Sequence, residues 1–315
     1  MEENKKTPGC QPSDGNRVTQ SGYINTKLAK RLLLLLLCLL VLILSAGCRR
    51  SEHLEISFLD VGQGDAVLIS QGNTQILIDG GPSPGVLLRQ LAGKMSFFDR
   101  NIELVVLTHP HADHINGLLG VLRRYDVSQV IFPATGDVLE GYDGLAYEEW
   151  LKLIQEKKIP STIACEGMSF CLGEANFMIL NPQKNLHTGT ISDVDNNSIV
   201  LELSAGDYNF LLTGDLMWQG ELELVLERKI RPVNILKVAH HGSNTSSSLE
   251  FLSVAKPDMG IICVGENDFG HPDNTIIERI SFHTRGGAVI RTDKCEGITF
   301  ITDGRSLWAE ADLCR

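Results

Sequence analysis

The sequence predicts an α/β protein of four layers, αββα, in which two β-sheets pack face to face and helices cover their outer faces. Three observations predict it. Strand-like segments joined by tight-turn signals occur in both halves of the chain, helical segments lie between them, and no Pro- or Ser-rich linker divides residues 51–315. A chain of 315 residues with 43% hydrophobic content can bury a full core, and 30 glycines supply the turns such a topology needs.

In chain order, Leu54 to Leu59 alternates as a half-buried strand does; Ala66 to Ser70 and Gln75 to Asp79 flank Gln71-Gly72-Asn73-Thr74, a hairpin signal. Val86 to Leu91 reads as helix. Ile102 to Leu107 is a continuous apolar run of the buried-strand kind and ends at Thr108. Ile115 to Tyr125 has helical spacing, Val130 to Phe132 is strand, and Leu145 to Lys157 is an amphipathic helix. The second half repeats the plan. Ala175 to Leu180 is strand, and Ser198 to Leu203 with Tyr208 to Leu212 forms a hairpin over Ala205-Gly206-Asp207. Gly220 to Arg228, Leu249 to Ala255 and Asn274 to Phe282 read as helices, and Ile235 to Val238 and Met259 to Val264 as strands. Ala288 to Arg291, Gly297 to Ile301 and Leu307 to Ala309 close the chain as strands.

Residues 1–50 are a separate object. Lys27, Lys30 and Arg31 precede an apolar run from Leu32 to Leu44, which leads to Ser45, Ala46, Gly47 and Cys48. This is the pattern of a secretory signal, and the small residues before Cys48 resemble a bacterial lipoprotein signal that lipidates that cysteine. An uncleaved helix anchoring the chain, with a cytoplasmic N-terminal tail, is the rival reading, and a cytoplasmic protein with an unusual leader the third. Either of the first two places the body outside the cytoplasm, tethered to the membrane.

Charge and cysteine add constraints. The net charge is −11, and residues 1–50 carry eight Lys or Arg against three Asp or Glu, so residues 51–315 carry −16. Such a body does not draw long polyanions by its bulk field, and any phosphate substrate must be attracted locally, by metal ions. Beyond the leader stand Cys165, Cys171, Cys263, Cys295 and Cys314. Cys165 with Cys171, or Cys295 with Cys314, are the possible disulfides, with free buried thiols the equal alternative.

The strongest chemical signal is Thr108-His109-Pro110-His111-Ala112-Asp113-His114, three imidazoles and a carboxylate within six residues after a buried strand. Imidazole and carboxylate are ligands for zinc and similar ions, and one loop can serve two adjacent ions. Asp215 follows the strand Tyr208 to Leu212 in Thr213-Gly214-Asp215. Read alone it is ordinary turn chemistry. His240-His241-Gly242-Ser243 follows another buried strand, and His271 lies in Gly270-His271-Pro272.

In that order, these residues resemble the metallo-β-lactamase fold superfamily. Three strings narrow the resemblance: Phe58-Leu59-Asp60-Val61-Gly62-Gln63-Gly64-Asp65-Ala66, Leu77-Ile78-Asp79-Gly80-Gly81, and Leu236-Lys237-Val238-Ala239-His240-His241-Gly242-Ser243. They look like the hydrolase domain of the ComEC/Rec2 competence proteins and are similar to secreted phosphorylcholine esterases. The resemblance covers residues 54–302. It implies one hydrolase domain over 51–315 and two divalent ions, zinc or manganese. His109 and His111 would hold the first ion; Asp113, His114 and His241 the second; Asp215 would bridge them. Asp79 would orient the cluster, with Asp60, Asp65 and Asn197 also placed around it. Asp113, His240, Ser243 and His271 are expected near the reacting atoms, His240 as a phosphate contact or proton donor. Most superfamily members carry another first-metal histidine before the strand leading to Gly-Asp. Here that stretch reads Asp193-Val194-Asp195-Asn196-Asn197-Ser198, as in ComEC-like members, which leaves the first ion fewer ligands.

The resemblance implies metal-assisted hydrolysis by an ion-activated water. The expected substrate is a phosphodiester, either single-stranded DNA in uptake or degradation, or phosphorylcholine and other wall polymers at the surface. The third reading is a metal-binding module without turnover, and β-lactam hydrolysis ranks below either enzyme reading. No protein partner is indicated. A single apolar segment does not make the multi-helix channel of a full-length ComEC protein, so only the hydrolase part of such a protein is expected.

Overall fold

A computed structural model describes residues 30–36, 53–135 and 139–311. The chain divides into two units at Arg49–Arg50. In the first unit, residues 30–36 are helical and exposed, and among the described residues no helix is long and apolar enough to cross a membrane. The leader expectation, with Cys48, falls largely outside the described residues, as does Cys314.

The second unit holds two large sheets and a short two-stranded one, β4-β6, of Asn101–Ile102 and Asp126–Val127. The first has the order β17-β16-β1-β2-β3-β5-β7-β8, built from Leu307–Ala311, Gly297–Thr302, Leu54–Leu59, Val67–Gln71, Thr74–Ile78, Leu104–Val106, Val130–Phe132 and Ser161–Ile163. The second has the order β15-β14-β13-β12-β11-β10-β9: Ala288–Arg291, Met259–Ile262, Ile235–Lys237, Tyr208–Leu212, Val200–Ala205, Ala175–Asn181 and Ser169–Leu172. Period-2 alternation splits each strand between two cores. Ile76, Ile78 and Val106 of the first sheet meet Phe177, Leu201 and Phe210 of the second in the core between the sheets. Leu77 and Val105 face outward and bury Leu87, Leu118 and Trp150 of the covering helices. On the far side, Leu211 and Leu236 pack against Leu224, Phe251 and Ile280. These three cores separate four layers, and the fold is αββα as the sequence predicts.

Two features differ from the sequence reading. The closing hairpin does not stay with the second half: Gly297–Thr302 pairs antiparallel with Leu54–Leu59, and Phe300 packs edge-on against both Phe58 and Phe210 at centroid distances of 6.0 and 5.8 Å. Strands Ser161–Ile163 and Ser169–Leu172 escape the sequence reading, because their polar residues break the apolar runs that mark a strand.

Helix Ala112–Arg124 bears most directly on the site, because its first turn carries Asp113 and His114. It begins three residues before the predicted start. The Asp143 carboxylate accepts the Ala112 N–H at 2.9 Å, a cap supplied from a different helix, and Arg123 and Arg124 complement the dipole in the last turn. Gly80 and Gly117 let this helix approach the loop after β3. A Cβ on Gly117 would lie 1.8 Å from the Gly80 carbonyl oxygen, so neither strand loop nor helix tolerates a side chain there.

Candidate metal centre

Four strands deliver site residues at their C-terminal ends, while Asp195 stands before the N-terminal end of β11. β3 leads to Asp79, β5 to the His109–His114 loop, β12 to Asp215 and β13 to His240 and His241. Parallel pairing of β3 with β5 and of β12 with β13 sets these loops side by side across the two sheets. Backbone strain concentrates here. Asp79, His240 and His241 all have positive φ (57°, 50° and 52°), a region costly for residues with a Cβ, and the packed sheets on either side hold them in it.

The side chains converge as three groups. Asp113, His114, Asp215 and His241 form one, His109, His111 and Asp195 another, and Asp65, Asp79 and His114 a third, which shares His114 with the Asp113 group. Asp215 Oδ2 stands between the Asp113 and His109 groups, 3.4 Å from His114 Nε2, 3.3 Å from His241 Nε2 and 4.0 Å from His109 Nε2. His241 Nε2 is 3.1 Å from Asp113 Oδ2, while Asp195 Oδ1 is 3.0 Å from His111 Nδ1 and 3.4 Å from His109 Nε2.

The outward ring nitrogens are held from behind. His114 Nδ1 pairs with Asp79 Oδ2 at 2.9 Å, and Asp79 also accepts the N–H and hydroxyl of Thr108 at 2.7 and 2.6 Å. His241 Nδ1 donates to the Cys263 carbonyl at 2.8 Å, and His109 Nδ1 lies 3.1 Å from the Thr108 hydroxyl. Each inward Nε2 is thereby aimed at the carboxylates, the arrangement in which outer partners fix a metal-binding imidazole.

Residues of this kind fit divalent cations. His114 Nε2 is buried without a hydrogen-bond partner, a cost that a ligated ion would remove. Burial raises the proton affinity of Asp215, but His241, His114 and Lys237 outweigh it and hold the carboxyl well below its usual range. Burial likewise disfavours charge on His114 and His241, yet Asp215 and neighbouring carboxylates push both well above the ordinary imidazole value. The cluster attracts positive charge strongly enough to override desolvation.

The other expected residues take varied places. Asp65 is buried beside the cluster, 3.4 Å from His241 Nδ1 and ion-paired with Lys237. Asp60 keeps to its own turn, accepting the Gly62 N–H at 3.1 Å. Asn197 braces the chain beside the site rather than the cluster itself: its amide donates to the Asp193 and His187 carbonyls and its oxygen accepts the His187 N–H. His240 Nε2 is 4.0 Å from Asp215 Oδ2, and its Nδ1 pairs with the Thr245 hydroxyl at 3.0 Å. Ser243 turns to the same hydroxyl at 3.0 Å, so it holds the His240 loop rather than facing the ions. His271 lies 5.4 Å from His240 between ring centroids.

Sequence reasoning missed two residues. Asp195 stands where the histidine is missing and joins the group of His109 and His111, so that group offers three candidate ligands instead of the expected two. The signal was present as a carboxylate in the very string that lacked a histidine. Lys237, only 1% exposed, places its ammonium between Asp65 and Asp215, 3.5 Å from Asp215 Oδ1, and donates to the Gly214 carbonyl at 2.8 Å. With Oδ1 turned to Lys237, Oδ2 is the atom Asp215 presents to the imidazoles. Among the described cysteines Cys263 bears on the site, through its carbonyl on His241 and its buried thiol beside Asp65 and Lys237. Cys165 and Cys171 are free thiols, against the first pairing considered, and Cys295 is disulfide-bonded.

An open cleft of about 600 Å³ gives access to the groups, with His111, Asp113, His241, Glu266, Phe269 and His271 among its lining residues. Among the described residues the lining holds no Lys or Arg.

Comparison with known proteins agrees with this geometry. Residues 59–160 match the model of the family described as "Metallo-beta-lactamase superfamily". The chain is similar to "ComE operon protein 3" of Bacillus subtilis (strain 168), 26% identical over 265 residues that cover 78% of this chain and 33% of that protein. It is 28% identical over 253 residues to "Recombination protein 2" of Haemophilus influenzae, covering 78% of this chain and 29% of that one. The chain thus spans about a third of the length of the curated relatives it matches. Among solved structures, the metallo-beta-lactamase fold protein YhfI from Bacillus subtilis superposes with a TM-score of 0.52 at 13% identity, over 82% of this chain and 99% of that one, a likeness of fold alone.

Proposed function

We infer, from a chain with the metallo-β-lactamase fold that is related to the competence proteins, that it is a metal-dependent hydrolase acting on phosphodiesters outside the cytoplasm, tethered to the membrane. The observation that carries the hydrolase reading is the position of Asp215 Oδ2, within 4.0 Å of an imidazole from each ligand group. One carboxylate oxygen between two groups would let two cations, if bound, serve one substrate. His109, His111 and Asp195 would hold one ion and Asp113, His114 and His241 the other, with Asp215 between. Bound there, the ions supply Lewis acidity toward water and phosphoryl oxygens.

The chain's own residues do the rest. Asp79 and the Cys263 carbonyl fix the orientation of His114 and His241, so the cluster is preorganised before substrate arrives. His240 and His271 stand at the cleft wall, where an imidazole can donate a hydrogen bond to a phosphate or a proton to a leaving oxygen. Sequence relation to proteins named for recombination and competence favours a DNA strand as substrate. A second reading, small phosphodiesters or phosphorylated wall polymers, is favoured by the cleft itself, where Asp143 and Glu266 line the opening and, among the described residues, no Lys or Arg offers to hold flanking phosphates. A metal-binding module without turnover is the third.

The test is hydrolysis of single-stranded DNA and of a phosphorylcholine ester by the full chain with Mn²⁺ or Zn²⁺, beside Asp215→Ala. Loss of metal-dependent cleavage in the variant is expected. Cleavage that survives in it, or a parent inert on both substrates and free of bound metal, would overturn the reading.

A further inference from the structure

We propose that the end of the body opposite the cleft is a membrane-facing surface, on which Phe97 and Phe98 enter the lipid–water interface while Arg89, Arg123 and Arg124 bind anionic phospholipid headgroups. The proposal rests on the reading of a membrane-tethered chain.

The charge distribution singles out two helices that run to this end, although Asp99, Glu103 and Asp126 lie on the segments beside them. Residues 51–315 carry a net −16, yet helices Pro84–Lys94 and Ala112–Arg124 bear no acidic residue except Asp113, which belongs to the metal centre. The helices lie side by side, close enough that a Cβ on Gly120 would meet Pro84 Cβ at 2.6 Å. Between them runs a groove of about 390 Å³ with small residues, Gly85, Ala92 and Gly120, and with Arg89, Arg123 and Arg124 around it. Arg123 pairs with Glu149 at 3.0 Å, and a guanidinium so engaged keeps further donors for a phosphate.

Beyond the end of the first helix the chain exposes two neighbouring rings. Phe97 is 80% and Phe98 89% exposed, and they touch edge to face with centroids 5.2 Å apart. Among the described residues nothing else covers them, and exposed adjacent aromatics beside basic residues are what an interface with lipid requires.

The topology fixes where this surface lies. Glu55 pairs across to Ser70, Ser70 to Gln75, and the Gln75 side chain donates to Asp99 at 3.2 Å. The Phe97–Phe98 loop therefore sits at the level of the start of β1, where the chain enters the body from the leader. From there β1 runs about 20 Å to deliver Asp60–Asp65 to the metal-centre end. With this surface on lipid, the cleft at the other end of β1 points away from the bilayer. A single hydrophobic anchor plus a basic patch is also the combination that gives stable membrane attachment. A nucleic-acid strand is less well served: the two rings pack against each other on one loop instead of being spaced to stack successive bases.

The test uses the full chain carrying Phe98→Trp with vesicles containing phosphatidylglycerol, some with brominated acyl chains. The added emission, taken as the difference from the parent, should shift to the blue and be quenched by the brominated lipid. Arg89→Glu with Arg124→Glu should remove the quenching while the chain still sediments with the vesicles. Added emission that stays water-like on a chain that does sediment overturns the surface and leaves the tether standing. A chain that does not sediment overturns both. Emission that responds to a single-stranded oligonucleotide and not to lipid overturns the proposal in favour of a nucleic-acid surface.

Discussion

Replacing Lys237 by Met should be far more damaging than its distance from any substrate suggests. The side chain is only 1% exposed and its ammonium neutralises Asp65 and Asp215, both buried. Burial alone would drive the ammonium to lose its proton, but the two carboxylates outweigh it and raise its proton affinity further. Methionine fits the space without the charge, so buried Asp65 loses its nearest cation and keeps only the more distant imidazoles of His241 and His114. Removing one partner of a buried ion pair costs about 3–5 kcal/mol. Urea unfolding of the metal-free full chain in detergent, monitored by circular dichroism, should show a loss of that size for Lys237→Met. Asp65→Asn in the same background removes the carboxylate charge, so the two changes should couple by about 0.5–3 kcal/mol instead of adding. A Lys237→Met chain within about 1 kcal/mol of the parent would refute the reasoning, as would a double variant with purely additive loss.

Two further outcomes are expected of the site and its surroundings. Asp195→Ala should lower the bound metal, measured by atomic emission after dialysis, by about one equivalent while the Asp113, His114, Asp215 and His241 group keeps its ion, because three candidate ligands fall to two at the His109 group only. Glu221 accepts the N–H groups of Ser247 and Ser248, but burial dominates and pushes its carboxyl up to about 7 from 4.5. A raised carboxyl means the folded state binds the proton more tightly, so stability should fall as pH rises from about 4.5 to 7, by up to about 3 kcal/mol. Glu221→Gln should flatten that part of the stability–pH curve, which unfolding midpoints at about pH 5 and pH 8 can check.

The sequence carried the layers and the heart of the site because both are written locally. Alternation along Leu54–Leu59 or Thr74–Ile78 states which side chains face a core, and His109 to His114 places four ligand-bearing residues within six positions of chain. Asp215 and His241 were readable as ends of apolar strands, and in the fold they stand with Asp113 and His114 in one group.

What the tertiary structure decided are the questions of partner. Periodicity says that Gly297–Thr302 has a buried face but not that its neighbour is the first strand of the body, since the pairing rests on Phe300 meeting Phe58 and Phe210 across the core. Asp195 is one carboxylate among several in a polar stretch, and becomes a ligand candidate only because β11 is fed from a loop that sets it 3.0 Å from His111. Lys237 reads as an interruption in an apolar strand until Asp65, far away in the chain, arrives beside it. Local pattern encodes burial, which each residue expresses alone. Ligation and charge compensation depend on distances between segments, and those distances exist only once the sheets have packed.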